Sequence, residues 1–165
     1  MTTRRVVIFG VGDAARGDDG LGPALIRRLR EADYDDSWWL TLVDDTQLRI
    51  EHALDLQIND LALFVDASDS AKPPFEFRAV ETPTRHRVMP MSQALQPEDV
   101  VHTLSTIARH VKTPASFVLE LPATEFGLSN SLSASAGENL DAAVTLVESL
   151  LDNPNEEFWR SKLEA

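Results

Sequence analysis

The sequence is that of an acidic chain of 165 residues, with 27 Asp and Glu against 15 Lys and Arg and a formal net charge of −12. This charge argues against nucleic acid or an anionic membrane as a partner, because both are bound through basic surfaces. The chain has no cysteine, which excludes disulfides, thiolate metal sites and a cysteine nucleophile. No apolar run is long enough to span a membrane, and the amino-terminal run is too short for a signal peptide. We therefore expect a cytoplasmic protein without membrane insertion.

Short apolar runs alternate with amphipathic segments along the first half of the chain. Leu21, Leu25 and Leu29 recur at every fourth position, which is the spacing of one apolar helix face. The predicted elements are a buried strand over 6–9, a helix over 20–33, a strand over 38–43, a short helix over 47–57 and a buried strand over 61–65 that ends at Asp66. This alternation predicts a parallel sheet that is covered by helices on both faces.

The second half of the chain continues the pattern and adds one strand of a different type. Residues 75–80 alternate apolar and charged side chains, which predicts an exposed edge strand. The remaining predicted elements are a helix from about Pro97 to Val111, a strand over 115–119 and a helix over 140–151. We therefore expect an α/β protein, with a single three-layer α/β/α domain and a mostly parallel twisted sheet over residues 1–152. A polar C-terminal tail over 153–165 would follow, with Phe158 and Trp159 docked onto the domain.

The turn after the first strand is rich in both glycine and acid. The segment GVGDAARGDDGLG, residues 10–22, contains three aspartates and a single arginine. Ligands of open parallel sheets bind beyond the carboxyl ends of the strands, and Asp66 follows the third predicted strand at that edge. We therefore predict the functional site there, with Asp19 and Asp66 close together.

Three kinds of chemistry compete for this edge of the sheet. Residues 10–15 fit the G-x-G-x-x-G/A dinucleotide fingerprint, but the helix starts only near Gly20 and the acidic loop would repel a pyrophosphate. The sequence also lacks a Walker A loop for nucleotide phosphates. A serine hydrolase is poorly supported, since its G-x-S-x-G motif is absent. The third possibility is a divalent metal held by Asp19 and Asp66. The alternative to a metal site is that one of the two adjacent aspartates, Asp18 or Asp19, only caps the helix that follows.

The sequence has four histidines, and one of them is a candidate ligand. His102 and His110 fall away from the apolar stripe of their predicted helix, and His52 is expected on a helix that faces solvent. His86 lies in the loop TPTRHRVMP after the edge strand, on a connection that faces the predicted site. It is either a metal ligand or an ordinary solvated loop histidine.

Three segments, taken together, resemble the hydrogenase maturation endopeptidases. GVGDAARGDDGLGPALIRRL, residues 10–29, resembles the family's G-x-G-N followed by D-D/E-G-x-G and a helix. LFVDAS, residues 63–68, resembles its third strand ending in Asp-Ala, and LPATEFGLSNSLSAS, residues 121–135, resembles its proline-containing loop before the last helix. The resemblance covers nearly the whole chain in order.

This resemblance implies a protease that acts on nickel–iron hydrogenase. Such a protein recognises nickel already inserted in the large-subunit precursor of the hydrogenase and then removes the C-terminal extension of that precursor. The acid of the D-D/E motif and the aspartate of the third strand, Asp19 and Asp66 here, are implied to contact the nickel and to act in catalysis. No nucleotide cofactor is implied.

The sequence departs from the family pattern at the third metal-contacting position. The family histidine aligns with Gln93, and an amide oxygen is a poorer nickel ligand than imidazole. The candidate metal-contacting set is therefore Asp19, Asp66, Gln93 and His86. Two further interpretations stay open. One is a catalytically impaired relative that binds a hydrogenase precursor or assembly factor without cleaving it, and the other is a metal-dependent hydrolase of a small substrate.

Overall fold

The computed structural model describes residues 4–34, 37–81, 95–107 and 112–163. Strands of one sheet within these ranges are β1 (Val6–Val11), β2 (Leu40–Asp45), β3 (Leu61–Ser68), β4 (Glu76–Ala79) and β5 (Ala115–Pro122). The helices are α1 (Leu21–Glu31), α2 (His52–Leu56), α3 (Pro97–Ile107), α4 (Ala134–Asp152) and α5 (Glu156–Ser161), and a 3-10 helix spans Gly17–Gly20. None of the helices in these ranges is long and apolar enough to cross a membrane.

The strand order of the sheet is β2-β1-β3-β5-β4. All neighbouring strands are parallel except β4, which runs antiparallel to β5 at the edge. The α/β class, the mostly parallel sheet and the edge strand are therefore as predicted. The chain moves from β1 to β2 on one side and then to β3 on the other side of β1. The strand order thus reverses between β1 and β3, and in open α/β sheets this switch point is where ligands bind.

Helices cover both faces of the sheet, which confirms the three-layer architecture. Alternate residues of a strand point to opposite faces, so Val6 and Ile8 of β1 pack with α1 and α4. Val7 and Phe9 of the same strand pack with α2 and α3 on the other face. The two cores together hold the strand ends in fixed positions, and the predicted functional site lies at the carboxyl ends of these strands.

The structure corrects three of the predicted element bounds. Strand β3 does not end at Asp66, because its pairing with β5 continues to Ser68, which lies opposite Pro122. Strand β2 begins at Leu40 rather than at Trp38, and the helix expected over 47–57 is only the short α2. Hydropathy marks the buried part of a strand, whereas backbone pairing also extends through polar residues.

The C-terminal segment docks onto the core through one tryptophan. Trp159 of α5 has 0% of its surface exposed, its indole N–H donates to the Leu150 carbonyl at 2.9 Å, and its ring meets Phe117 edge-on. Phe158 is partly buried against the same core. The expected docking of these two aromatic residues is present, and part of the segment forms a helix.

Helix α1 lies in direct contact with the sheet because residue 22 is glycine. A Cβ atom on Gly22 would lie 2.5 Å from the Val11 backbone nitrogen and oxygen and 2.7 Å from the Val65 carbonyl oxygen. These distances are far below van der Waals contact, so a larger residue would separate the helix from β1 and β3. The close packing brings the start of α1, and the turn before it, onto the carboxyl ends of these strands.

Candidate functional site

Asp19 is held over the end of β1 by a tight turn. Its carboxylate accepts a hydrogen bond from the Asp13 backbone N–H at 2.8 Å. Gly12 has a φ of 145°, and a Cβ atom there would lie 1.8 Å from the Asp19 carbonyl oxygen. Only glycine adopts this backbone conformation readily and leaves room for so close an approach. The glycines of the opening segment therefore fix the position of a half-buried carboxylate.

Asp66 lies on β3, on the face of the sheet that packs against α2 and α3. Its neighbour Val65 points to the opposite face, and its own carboxylate accepts a hydrogen bond from the Ala67 N–H at 2.8 Å. The side chain borders an open cavity of about 360 Å³ that is also lined by residues from β4, β5, the start of α3 and the loop after β5. Asp66 is exposed to solvent at the open side of this cavity, whereas the surrounding protein excludes water from the rest of its carboxylate.

Protein around this cavity alters the ionisation of Asp66. Desolvation of the carboxylate raises the pKa of Asp66 to about 7, and repulsion from Asp19 and Glu120 acts in the same direction, against the opposing Ala67 hydrogen bond. Repulsion of this kind requires that the charges lie near each other. Asp19 and Asp66 follow the neighbouring strands β1 and β3, and the repulsion between their carboxylates is one of the causes of the raised pKa of Asp66.

A third acid, Glu120, lies beside Asp66 and was not singled out from the sequence. The two residues are direct partners in the parallel pairing of β3 and β5. Arg78 of β4 contacts Glu120 at 3.2 Å and Glu98 of α3 at 2.5 Å, so it balances part of this negative charge. Both Asp66 and Glu120 follow an apolar strand core in the sequence, and this shared pattern could have indicated that they are neighbours.

Asp18 has a structural role that differs from that of Asp19. It is completely buried, and its carboxylate accepts hydrogen bonds from the N–H groups of Thr124, Glu125 and Ser133 at 3.0, 3.1 and 2.8 Å and from the Ser133 hydroxyl at 2.8 Å. Burial alone would raise the pKa of Asp18, but these hydrogen bonds outweigh it and hold the pKa below its ordinary value. Asp18 therefore connects the turn before α1 to the loop after β5.

The alternative that one of these aspartates caps α1 is wrong. Gly20 occupies the N-cap position of α1, and no side chain caps it. The carboxylates of Asp18 and Asp19 instead bind N–H groups of the loop after β5 and of the opening turn. Sequence reasoning could not distinguish these partners from the nearby helix amides.

The opening turn is not arranged to bind a dinucleotide. The N–H groups of Asp13 and Ala15 donate to the carboxylates of Asp19 and Asp13, at 2.8 and 2.9 Å. The Gly12 N–H donates to the Asp45 carbonyl at 2.9 Å. Amides that would face a pyrophosphate in a dinucleotide site are thus already paired, and the adjacent cleft is lined by acids of the turn and of β2.

His52 is buried, contrary to the expectation that its helix faces solvent. Its Nδ1 accepts a hydrogen bond from the Arg49 N–H at 2.9 Å, and its Nε2 lies 3.3 Å from the Asp45 carboxylate. The ring also packs edge-on against Phe9. These contacts explain a polar side chain in the core, since every ring nitrogen has a partner.

The remaining predicted ligands cannot be placed relative to the acidic pair. His86 and Gln93 lie outside the described residues, as does His110. Among the residues that the structure does describe, no group of three or more His, Cys, Asp or Glu side chains is arranged to hold a metal ion. Of the four predicted ligands, Asp19 and Asp66 lie within the described residues.

Comparison with known proteins identifies the class of fold. No family model matches the sequence, and no curated protein matches it at a significant level. Solved structures do match, and they show that the chain has the fold of the hydrogenase maturation proteases.

Three of these structures illustrate the likeness. HycI from Thermococcus kodakarensis KOD1, a NiFe hydrogenase maturation protease, matches with a TM-score of 0.68 and 19% identity over 90% of this chain and 93% of its own. HybD from Thermococcus kodakarensis matches with a TM-score of 0.65 and 20% identity over 88% and 98%. The maturating endopeptidase HybD from E. coli matches with a TM-score of 0.63 and 13% identity over 90% and 93%.

Proposed function

We propose that this chain is a cytoplasmic hydrogenase maturation endopeptidase, a divergent member of that family. It would remove the C-terminal extension of a nickel–iron hydrogenase large-subunit precursor after nickel has been inserted. The shared fold supports the class of protein. The observation on which the proposal depends is that Asp19 and Asp66 follow the neighbouring strands β1 and β3 at the switch point, where repulsion from Asp19 contributes to the raised pKa of Asp66.

In this proposal, Asp19 and Asp66 contact the nickel that the precursor brings with it. Two carboxylates near each other repel when no cation is present, and a cation between them removes that repulsion. With a pKa of about 7, Asp66 is partly ionised at neutral pH. It can therefore either bind a cation or hold a proton, and a group of this kind is also suited to proton transfer at neutral pH.

The cavity beside Asp66 offers space for the polypeptide that is to be cut. It is open on one side and has a volume of about 360 Å³, which accommodates a few side chains of an extended segment. Acidic residues form one wall, and Phe126 forms part of another. A precursor that carries its nickel to the acids would thus place the adjoining peptide along the cavity.

Intact-mass measurement of a purified precursor tests this proposal. We expect the wild-type protein to shorten the nickel-loaded precursor by the mass of its C-terminal extension and to leave the nickel-free precursor unchanged. Equal cleavage of both precursors would contradict the role of nickel. Failure to bind or to cleave the loaded precursor would contradict the proposed function itself.

A second candidate function is that of a catalytically impaired relative. It would bind a hydrogenase precursor or assembly factor without cleaving it. The observation that favours it is Gln93, which aligns with the family histidine and is a poorer nickel ligand than imidazole. In the same mass measurement, this function predicts a stable complex with the loaded precursor in which the precursor keeps its full length.

A further inference from the structure

The loop after β5 presents apolar side chains to solvent. Leu128 is 94% exposed and Phe126 is 37% exposed. Between them, a Cβ on Gly127 would have no atom within 4 Å apart from those of its two chain neighbours. We call Phe126, Gly127 and Leu128 the rim surface.

The exposure of the rim surface is built into the fold rather than caused by a loose loop. On one side, the buried Asp18 carboxylate binds the N–H groups of Thr124 and Glu125 at 3.0 and 3.1 Å. On the other side, Ser129 pairs with the opening turn, donating to the Ala15 carbonyl at 3.0 Å and accepting from the Gly17 N–H at 2.8 Å. The backbone is therefore fixed immediately before and after the three residues. A loop that is fixed in this way holds its apolar side chains ready for a partner.

The rim surface adjoins the cavity beside Asp66. Phe126 lines the same cavity as Asp66 and Glu120, and the segment that fixes the loop is the turn that contains Asp18 and precedes Asp19. A polypeptide bound in this cavity beside Asp66 would therefore lie within reach of Phe126. Other exposed apolar residues do not lie beside this cavity. Ile58, for example, lies in the turn before β3, at the amino ends of the parallel strands.

We infer that the rim surface binds an apolar side chain of the substrate polypeptide, within the segment that adjoins the cleaved bond. This inference rests on the proposed function, because it takes the precursor as the occupant. The acids would bind the cation, while Phe126 and Leu128 would bury apolar surface of the segment beside it. Exposed apolar groups next to a polar site are typical of places where a partner is bound.

Leu128→Ser and Phe126→Ser test the inference, with Ile58→Ser as the matched control. Ile58 is 66% exposed and lies far from the cavity, so its replacement removes similar apolar surface without touching the rim. We expect the KM for the nickel-loaded precursor to rise about tenfold for each rim variant, with kcat little changed, as follows from losing the burial of one apolar side chain. The KM of Ile58→Ser should equal that of the wild type, and thermal unfolding should show that all three variants are folded.

The outcomes separate the inference from the proposed function. A wild type that cleaves the precursor, with rim variants whose KM equals that of Ile58→Ser, overturns the inference and leaves the proposed function intact. If the wild type binds the precursor without cleaving it, the Kd of the complex is measured in place of KM. Rim variants whose Kd equals that of Ile58→Ser would then overturn the inference. If the wild type neither binds nor cleaves, the proposed function and the inference both fail.

Discussion

The Asp18 carboxylate accepts two hydrogen bonds from Ser133, one from its N–H at 2.8 Å and one from its hydroxyl at 2.8 Å. Ser133 is also the N-cap of α4, where its hydroxyl accepts a hydrogen bond from the Ala136 N–H at 3.2 Å. One buried carboxylate therefore joins the turn before α1 to the start of α4. The next residue in the chain, Asp19, is thereby held in position at the switch point.

We predict that Asp18→Asn destabilises the protein by roughly 2–4 kcal/mol, measured as the free energy of unfolding in urea. The amide has one donor group, which must face at least one of the N–H groups that now bind the carboxylate, and an unsatisfied buried group costs about this much. Asp19→Asn is the control, because Asp19 is half-buried and, among the described residues, accepts one backbone hydrogen bond, from Asp13. Equal stability of the two variants would contradict the role of Asp18.

The same site predicts a dependence of stability on pH. Because the pKa of Asp18 is lowered in the folded state, its ionised form stabilises the protein above the ordinary carboxyl pKa of 3.8. This contribution is lost as the pH falls through the lower, folded-state pKa. The stability difference between wild type and Asp18→Asn should therefore shrink in acid, and a difference that grows in acid would contradict the assignment.

We predict the opposite pattern for Asp66. Its pKa is raised to about 7 from 3.8, so the folded protein binds a proton that the unfolded chain releases between these values. The protonated form of Asp66 therefore contributes to the stability of the folded state. This contribution is complete below pH 3.8 and is lost as the pH rises through about 7. Asp66→Asn should then raise the melting temperature more at pH ~8 than at pH ~5. An equal change at both pH values would contradict the raised pKa.

Binding of the loaded precursor should depend on the same ionisation. A carboxylate must lose its proton to bind a cation, so kcat/KM for precursor processing should rise with pH around an apparent pKa near 7, the value for Asp66 in the free protein. The measurement is the initial rate at low precursor concentration across this range. A rate that is constant on both sides of neutrality would contradict a role for Asp66 in contacting nickel.

The fold can be predicted from two local patterns, each formed by residues that are close together in the sequence. Apolar runs mark the strands, and the glycine and aspartate spacing of residues 10–22 predicts Asp19 at the carboxyl edge of the sheet, where Asp66 follows the third strand. Contacts between distant parts of the chain were not predictable in this way. Asp18 binds residues that lie 106 to 115 positions further along the chain, and no local pattern shows that a loop after the fifth strand returns to it.

The burial of His52 illustrates the same limit. Its polar ring is tolerated in the core only because Asp45 and the Arg49 N–H bind its two nitrogens. The local sequence shows a histidine on a short helix and gives no indication of which side of the helix faces Asp45. The pattern of apolar residues therefore predicts which elements form, whereas the pairing of polar groups becomes evident only when the elements are packed.

The third metal-contacting residue remains a prediction that mutagenesis can decide. If Gln93 occupies the position of the family histidine, Gln93→His should strengthen binding of the nickel-loaded precursor, because imidazole is the better nickel ligand. If His86 supplies the missing ligand instead, His86→Ala should reduce processing. Full cleavage by both the wild type and His86→Ala would contradict the hypothesis that His86 replaces the family histidine as a ligand. It would also exclude the hypothesis of a catalytically impaired relative.

Removal of each acid at the switch point tests the central claim most directly. Asp44→Ala is the matched control, since Asp44 is an exposed acid at the end of the neighbouring strand β2. The measurement is the intact mass of the nickel-loaded precursor after incubation with wild type, Asp19→Ala, Asp66→Ala or Asp44→Ala, each shown to be folded by circular dichroism. We predict that wild type and Asp44→Ala release the C-terminal peptide, whereas Asp19→Ala and Asp66→Ala leave the precursor at full length. Normal processing by both Asp19→Ala and Asp66→Ala would contradict the claim that this carboxylate pair is the functional site.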